Sequence, residues 1–469
     1  GRGMAPTGAA SKTLTQETGI AADTVAMFQI KERQLQKDIA FAQHYAPDFQ
    51  RKSELWIIDE SSFLSQRQKA NLDWMAEQAN AKVVYLGDVL QLQAVQAGKP
   101  FELAQKNGIE TAYMTEINRQ KTVDLKHAVD IMTGRDALKA KERITQVELK
   151  NNARAFAHLD RAGRVHEVQG DLIGVMVQDL FKLDHAERTH TLVMTPYNQD
   201  RREINDCVRA QLKQQGELSH DEKTYTILVS KGWTRAMIKE AQYYQTGNVV
   251  RFGRDYHVIE AKKGEIARVV AVDTPNGLVH VQKENGVTFA WQPRQHNRVE
   301  VYDAQKRGLA PGDWIRFTRN SEVFKNGEVA WVKAMTGQTA LLQRYPDAHG
   351  AWQAVDLSRD RHWDHAYAVT VHAAQGATAQ RAIFHIPIQK TDDQREQARM
   401  LKNMAQVFGD RSFYVGVTRA SHQLRIYTND KAAAAQAIAA KLDKTSAMET
   451  IQRHEAAQPS LQRQRAWSR

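Results

Sequence analysis

A single cysteine, Cys207, stands in 469 residues. It excludes an intrachain disulfide framework and suits a reducing, cytoplasmic compartment. Its simplest place is as an apolar filler on a helix. Long hydrophobic runs are missing as well. No stretch approaches the roughly 20 apolar residues needed to span a bilayer, and the first residues carry no signal-peptide apolar region. The longest bland run, Ala432 to Ala440, is interrupted by Gln436 and reads as a helix former. A phosphate-binding loop is also missing. Gly3 and Gly8 have suitable spacing, yet Ala9-Ala10 stand where Lys and Ser or Thr are required, and Gly98-Lys99-Pro100 fails because proline supplies neither hydroxyl nor N–H. His362 and His365 lack the companions that would complete a metal site. What remains is an ordinary globular composition, 42% hydrophobic and 25% charged. Lys+Arg 65 against Asp+Glu 54 gives a net charge of +11, which admits a polyanion partner such as nucleic acid without requiring one. The length calls for two or more domains.

Leu55-Trp56-Ile57-Ile58 is an apolar run that ends in Asp59-Glu60-Ser61-Ser62. Four large apolar residues without alternation predict a strand covered on both faces, as in a parallel α/β sheet. Ligands of such sheets bind beyond the carboxyl ends of the strands. An Asp there can hold Mg²⁺ through its water shell, and the adjacent Glu can orient or deprotonate an attacking water. An Asp that merely caps the next helix gives the same local pattern. Helices are predicted over Val25 to Tyr45 and Gln66 to Gln78. A second buried strand is predicted over Lys82 to Leu86, closing in Gly87-Asp88, and a short one over Tyr113 to Gln120, ending at Arg119. Alternating strands and helices with polar residues at each strand exit make a doubly wound pattern.

Helices over Asp136 to Gln146 and Asp171 to Leu183 flank a short strand, Val165 to Val168. Thr191 to Pro196 is another buried strand, and Tyr197 to Asn205 opens a helix that begins a second α/β core. Its Arg201 and Arg202 suit a nucleotide or DNA, or simply solvent. From Thr224 to Leu357 the texture turns to short alternating strands with glycine turns. Two portions share a grammar: Gly247-x-Val249-Val250-Arg251-Phe252 with Lys263-Gly264-Glu265, and Gly312-x-Trp314-Ile315-Arg316-Phe317 with Asn326-Gly327-Glu328. Two small SH3-like barrels, or one with an expansion, fit this pattern. The mixture of Arg251, Phe252, Arg316, Phe317 and Arg319 either grips a single strand by charge and stacking or supplies barrel cores. Ala366 to Thr378 returns to the α/β style through a His372-Ala373-Ala374-Gln375-Gly376 turn, where Gly376 permits close backbone approach to a ligand. Ser412 to Ala420 leads through Arg419 into a strand over His422 to Thr428. A polar basic tail closes the chain.

Ala5-Pro6-Thr7-Gly8, Asp59-Glu60-Ser61, Gly87-Asp88-Val89-Leu90-Gln91-Leu92 and Arg119-Gln120 resemble, in order and spacing, motifs Ia, II, III and IV of the RecD-like superfamily 1 helicases. Thr370 to Thr378 resembles motif V, and Ser412 to Ala420 motif VI. The size of the β insert is similar to that of the conjugative relaxase-helicases, the MobF family of superfamily 1B. The resemblance implies an α/β fold of two RecA-like doubly wound parallel-sheet motor cores with inserted SH3-like β-barrel subdomains. The expected boundaries are a first core over 1–135, connecting helices and the start of the second core over 136–223, the insert over 224–357, the rest of the second core over 358–445 and the tail over 446–469.

The same resemblance implies ATP and Mg²⁺ as cofactors, with Asp59 (metal, through water), Glu60, Gln91, Arg119 and Arg419 catalytic and Gly87, Asp88, Gln375 and Gly376 around the nucleotide. Pro6, Thr7, Arg202, Arg251, Phe252, Arg316, Thr370 and His372 would meet single-stranded DNA. It further implies 5′-to-3′ translocation and duplex unwinding during plasmid transfer, in the bacterial cytoplasm. Partners would include the conjugative secretion apparatus and accessory transfer proteins, with passage to the recipient cell. In that family the phosphate loop precedes motif Ia by a few tens of residues, so a weak ATPase is expected of these residues alone. A vestigial, non-catalytic single-stranded DNA-binding or secretion-signal module and a RecD-like repair helicase are the alternatives.

Overall fold

A computed structural model of the chain describes residues 1–46, 48, 51–89, 99–114, 116–134, 150–345, 350–389, 391, 393, 395–396, 399–400, 403–404 and 412–439. Gln91, the helix expected over Asp136 to Gln146 and the tail from 446 lie outside these described residues. The chain divides into two units, Gly1–Val208 with Tyr367–Arg469, and Arg209–Ala366. No helix among the described residues is long and apolar enough to cross a membrane.

The first unit opens with β1 (Arg2–Ala5), β2 (Ala22–Thr24), β3 (Glu54–Ile58) and β4 (Ala81–Tyr85), which form a parallel sheet in the order β2-β1-β3-β4. The helices Val25–Tyr45 and Gln66–Gln78 have the predicted bounds. Thr24 caps the first, and Ser65 with Gln68 forms a reciprocal capping box on the second. They cover one sheet face with Phe28, Leu72 and Met75 against Met4, Trp56 and Ile58. The other face departs from expectation, since Leu55 and Val84 are each 41% exposed. Strand parity explains this, because Leu55, Ile57 and Val84 point away from those helices. Among the described residues the helix Gly8–Thr18 reaches only the β1–β2 side of that face, where a Cβ on Gly3 would lie 2.9 Å from Ala22 Cβ and 3.0 Å from Leu14 Cδ2. Gly3 is thus a close-packing strand residue. The described residues of 113–120, which are 113–114 and 116–120, form no strand, and the stretch docks through Gln120.

At the amino edge of this sheet the fully buried Glu32 accepts from Arg2 Nη1 at 2.6 Å and from Arg51 Nη1 at 2.5 Å. Arg51 also bonds Glu54, which takes the Trp56 Nε1 proton at 2.7 Å. This network closes the strand starts around a charge that burial alone would forbid.

β5 (Val165–Glu167) and β6 (Thr191–Thr195) begin a second parallel sheet, and the helix Asn198–Gln214 follows β6. The second unit then interrupts it. There β7 (Lys223–Ser230), β8 (Asn248–Phe252), β9 (Ile266–Asp273), β10 (Leu278–Lys283), β11 (Thr288–Trp291) and β12 (Val299–Leu309) form an antiparallel sheet in the order β11-β10-β9-β8-β12-β7. β13 (Trp314–Phe317), β14 (Val329–Thr336), β15 (Thr339–Arg344), β16 (Gln353–Asp356) and β17 (Trp363–His365) form another, β16-β15-β14-β13-β17.

The shared grammar of the sequence is a structural repeat. Gly264 N donates to Phe252 O at 2.7 Å and Phe252 N to Glu265 O at 3.0 Å. The second copy repeats both, Gly327 N to Phe317 O at 2.8 Å and Phe317 N to Glu328 O at 2.9 Å. Each copy buries its phenylalanine at 0% exposure, Phe252 among Tyr256, Val269 and Trp291, and Phe317 beside Phe324 and Trp363. Phe252 is therefore a core residue and cannot stack on DNA, because its strand parity turns it inward while Arg251 faces out. Arg209, at 8% exposure, anchors this unit by donating to both oxygens of the buried Asp313, at 2.8 and 2.9 Å, and to Glu222 at 2.7 Å.

β18 (Ala368–Thr370), β19 (Ala379–Ile386) and β20 (Ala420–Thr428) complete the second parallel sheet, ordered β18-β6-β19-β20-β5. Met194, Phe384, Phe413 and Ile426 lie in its core.

Replacement Glu32→Gln removes the charge that Arg2 and Arg51 share. Urea unfolding is expected to show a loss of about 3 kcal/mol with an unchanged m-value.

Candidate active site

The carboxyl edge of the first sheet gathers three acids. β3 hands over to Asp59, whose N–H bonds Met4 O at 2.9 Å, and Asp59 Oδ1 accepts from Glu60 N at 2.8 Å. Glu60 sits at φ 51° and ψ 40°, a left-handed conformation that a residue with a Cβ adopts at a cost of roughly 1–2 kcal/mol. Ser61 N then bonds Leu86 O at 2.8 Å, locking this turn to the exit of β4. The exposed Gly87 follows, where a Cβ would lie 3.1 Å from Ser62 N, and next comes Asp88. Ser62 Oγ is buried here with no hydrogen-bond partner among the described residues.

Two arginines converge on this edge. The helix Ser412–Thr418 is entirely buried and delivers Arg419, itself only 1% exposed. Arg419 donates to Val415 O at 3.1 Å, to Ala377 O at 3.0 Å and to Thr418 Oγ1 at 3.1 Å, all neutral acceptors. Tyr414, one turn earlier, donates to Asp88 Oδ2 at 2.7 Å and ties the two sheets together. Arg119 is exposed and reaches Thr418 O at 3.4 Å, while the buried Gln120 bonds Thr418 O and Ala420 O at 3.3 and 3.1 Å.

The electrostatics follow from these positions. Burial raises the Glu60 carboxyl, the Asp59 charge raises it further, and Arg419 and Arg119 oppose. Burial lowers Arg419 to about 10, with Arg119 adding to the effect and Glu60, Tyr414 and Asp88 resisting it. The guanidinium stays charged at neutral pH in a place where a cation without a directly bound anion is costly. The arrangement can receive an anion, and it holds a carboxyl with raised proton affinity beside it. Among the described residues no group of three or more His, Cys, Asp or Glu could hold a metal.

The structure thus brings Asp59, Glu60, Asp88, Arg119 and Arg419 together, with Gly87 beside them. Gln375 and Gly376, the latter at φ 80°, lie in the turn after β18, whose Ala377 carbonyl receives Arg419. Gln91 lies outside the described residues. Pro6 and the exposed Thr7 leave β1 on the same sheet edge, Thr7 capping the next helix by accepting from Ala10 N at 3.2 Å. Thr370 and the exposed His372 leave β18. Arg202, half-buried on the helix Asn198–Gln214, has its Nε buried without a partner among the described residues. Arg251 and Arg316 belong to the other unit and are half-buried, Arg251 pairing with Glu300 at 3.6 Å. Two features escaped sequence reasoning. One is the Tyr414 hydroxyl, although it stands in the helical run that delivers Arg419. The other is a buried polar centre at the exit of β6, where Thr195 meets His385 Nδ1 at 3.1 Å and Asp200 Oδ2 lies 3.7 Å from that nitrogen.

Residues 2–170 match the family model described as AAA domain. Across 92% of its length the chain is 27% identical to the multifunctional conjugation protein TraI of Escherichia coli strain K12, of which it spans 24%. Conjugal transfer protein TraA of Agrobacterium fabrum is 22% identical over 60% of the chain and 22% of that protein. The chain therefore spans about a quarter of the curated relatives it matches. Among solved structures, Pif1 helicase of Candida albicans gives a TM-score of 0.37 at 14% identity, covering 97% of this chain and 88% of that one. The resemblance carried by the motifs, to conjugative relaxase-helicases, agrees with the two curated relatives being conjugation proteins.

Burial, with Glu203 adding to it, raises Asp200 to about 6. A raised carboxyl holds its proton more tightly folded than unfolded, so its contribution is full below pH 4 and lost as pH rises through 6. Thermal or urea unfolding at several pH values is expected to show that decline, and Asp200→Asn to flatten it and to gain roughly 2 kcal/mol at pH 8.

Proposed function

We propose that the chain is the motor portion of an ATP-driven DNA helicase of conjugative transfer, moving 5′-to-3′ on single-stranded DNA. One observation carries this reading: Arg419 is a buried cation bonded to neutral acceptors and within electrostatic reach of Glu60 and Asp88 at the edge of a parallel sheet. Such a site suits a polyphosphate bound with its metal ion. Mg²⁺ carried on the phosphates supplies charge neutralisation during phosphoryl transfer.

Asp59 would hold that ion through its bound water. Glu60, its proton affinity raised by burial and by Asp59, takes the proton of the attacking water. Arg119 and Arg419 spread the charge that develops on the transferred group. Gly87, Asp88, Gln375 and Gly376 adjoin the phosphates, Pro6, Thr7, Arg202, Thr370 and His372 line the strand, and the role of Gln91 rests on the motif resemblance alone. Tyr414, through Asp88, and Gln120, through Thr418 and Ala420, tie the first sheet to the helix that carries Arg419. These 469 residues carry no Gly-Lys-Ser/Thr phosphate loop.

Two measurements test the reading. The chain by itself is expected to bind oligo-dT but to turn over ATP slowly, and brisk DNA-stimulated hydrolysis by it would overturn the expectation of a weak ATPase. In the full natural protein, Glu60→Gln is expected to lower kcat by about 10²-fold or more, and the exposed Arg119→Ala by about 10³-fold, with oligo-dT affinity kept. A full kcat in both variants would end the catalytic assignment.

A further inference from the structure

The two copies of the repeat in Arg209–Ala366 share one backbone pattern and differ on one face. In the first copy Val249 stands opposite Arg268, and Val249 is buried against Leu228 and Tyr302. In the second copy the corresponding pair is Trp314 opposite Trp331. Trp314 alternates with Ile315 and Trp331 with Ala330 and Val332, all three at 0% exposure, so both tryptophans point away from the core.

The row continues across the sheet. Trp331 lies opposite Gln343, and Gln343 Nε2 donates to Gly350 O at 3.1 Å, which fixes the chain leading to Trp352 just before β16. The Trp331 and Trp352 ring centroids are 5.6 Å apart, and Tyr345 meets Trp314 edge-on at 4.7 Å. Lys333 is the bulged residue where the β14–β15 register shifts, and it holds its Nζ 4.5 Å from the Trp352 ring centroid. Arg316 lies on the same face, one row along. Among the described residues the carboxylates of this face stand at its margins. Asp364, opposite Arg316, is 5% exposed and bonds Arg307 at 2.9 Å, and Asp356 lies opposite Thr339.

Core packing does not account for this row. The second copy already has its core in Ile315, Phe317, Phe324, Leu342 and Trp363, and Trp331 remains 39% exposed. Three indoles and a tyrosine meet on the outer face of this sheet, Trp331 exposed and Trp314, Trp352 and Tyr345 half-buried, their rings tilted or edge-on to one another, and among the described residues Lys333 is the ion that lies over them. Bases stack on such rings irrespective of sequence, and the cations meet the backbone between them.

We infer that the face formed by Trp314, Trp331, Trp352 and Tyr345 with Lys333 is a docking platform for single-stranded nucleic acid, distinct in residues from the phenylalanines of the repeat. It deepens the motor reading by giving the second unit its own hold on the strand, and it rests on that reading for the choice of DNA.

The test is fluorescence anisotropy of a labelled dT 20-mer with the whole chain, alongside tryptophan emission. The double variant Trp331→Ala/Trp352→Ala is expected to weaken binding by about 10-fold or more. Trp331→Phe should keep most of the affinity, and Lys333→Gln should lower the salt slope by about one. Matching thermal melts exclude misfolding, and Trp331→Phe remains informative if the double variant is unstable. Undiminished affinity in these variants, with the wild type binding tightly, overturns the platform and leaves the motor reading standing. Failure of the wild type to bind oligo-dT overturns both. A proline-rich peptide that shifts the tryptophan emission where dT does not would make the face a peptide dock and end the proposal.

Discussion

A guanidinium at 1% exposure is the constraint on which the first unit depends. Arg419 is held by Val415 O, Thr418 Oγ1 and Ala377 O, so the helix Ser412–Thr418 and the turn after β18 are fixed to each other through it. None of those acceptors carries a charge. Glu60 and Asp88 act on Arg419 from the neighbouring sheet without replacing its neutral bonds. A protein tolerates such a cation when a bound anion relieves it part of the time, or when nearby carboxylates do so from a distance. This chain has the second arrangement built in, and the first gives it a use.

The first sheet divides its labour between its two edges. At the amino edge, Glu32 is saturated by Arg2 and Arg51, and Glu54 by Arg51 and Trp56, a closed network with donors matched to acceptors. At the carboxyl edge the acids are unequal. Glu60 is held left-handed with its carboxyl raised, Asp59 accepts from the Glu60 backbone N–H, and Asp88 accepts a hydrogen bond from the Tyr414 hydroxyl. The strained Glu60 is over-determined by Ser61 N on Leu86 O and by Ser61 Oγ on Ile58 O, 2.8 Å each, which keeps the turn in a conformation it would not choose alone.

Much of the first unit was legible because its signals are local. The Asp59-Glu60 exit, the Gly87-Asp88 exit and the Ser65–Gln68 capping box depend on residues a few positions apart. The helices Val25–Tyr45 and Gln66–Gln78 accordingly came out with their predicted bounds. The stretch Tyr113 to Gln120 misled because its apolar residues resemble a strand, whereas its backbone is held by Gln120 reaching Thr418 and Ala420 some 300 positions away. The full burial expected for Leu55 failed for a related reason, since strand composition does not reveal whether a second layer is present. In the insert, Phe252 could have been assigned to the core from alternation alone, being the inward neighbour of Arg251. The tryptophan row was harder to see, because Trp314, Trp331 and Trp352 are separated in sequence and meet only across strands.

The sequence by itself determined which groups are available and in what order: an acid pair after an apolar run, arginines after short polar turns, and a repeated glycine-strand grammar. Chain connectivity and local propensity suffice for that. Only the tertiary structure decided which of them meet. Arg419 approaches Glu60 because a buried helix of the second sheet docks on the first through Tyr414 and Asp88, and the indoles form one face because antiparallel register sets Trp314 beside Trp331. Those are long-range pairings, fixed by packing and strand register, and no local stretch of residues encodes them.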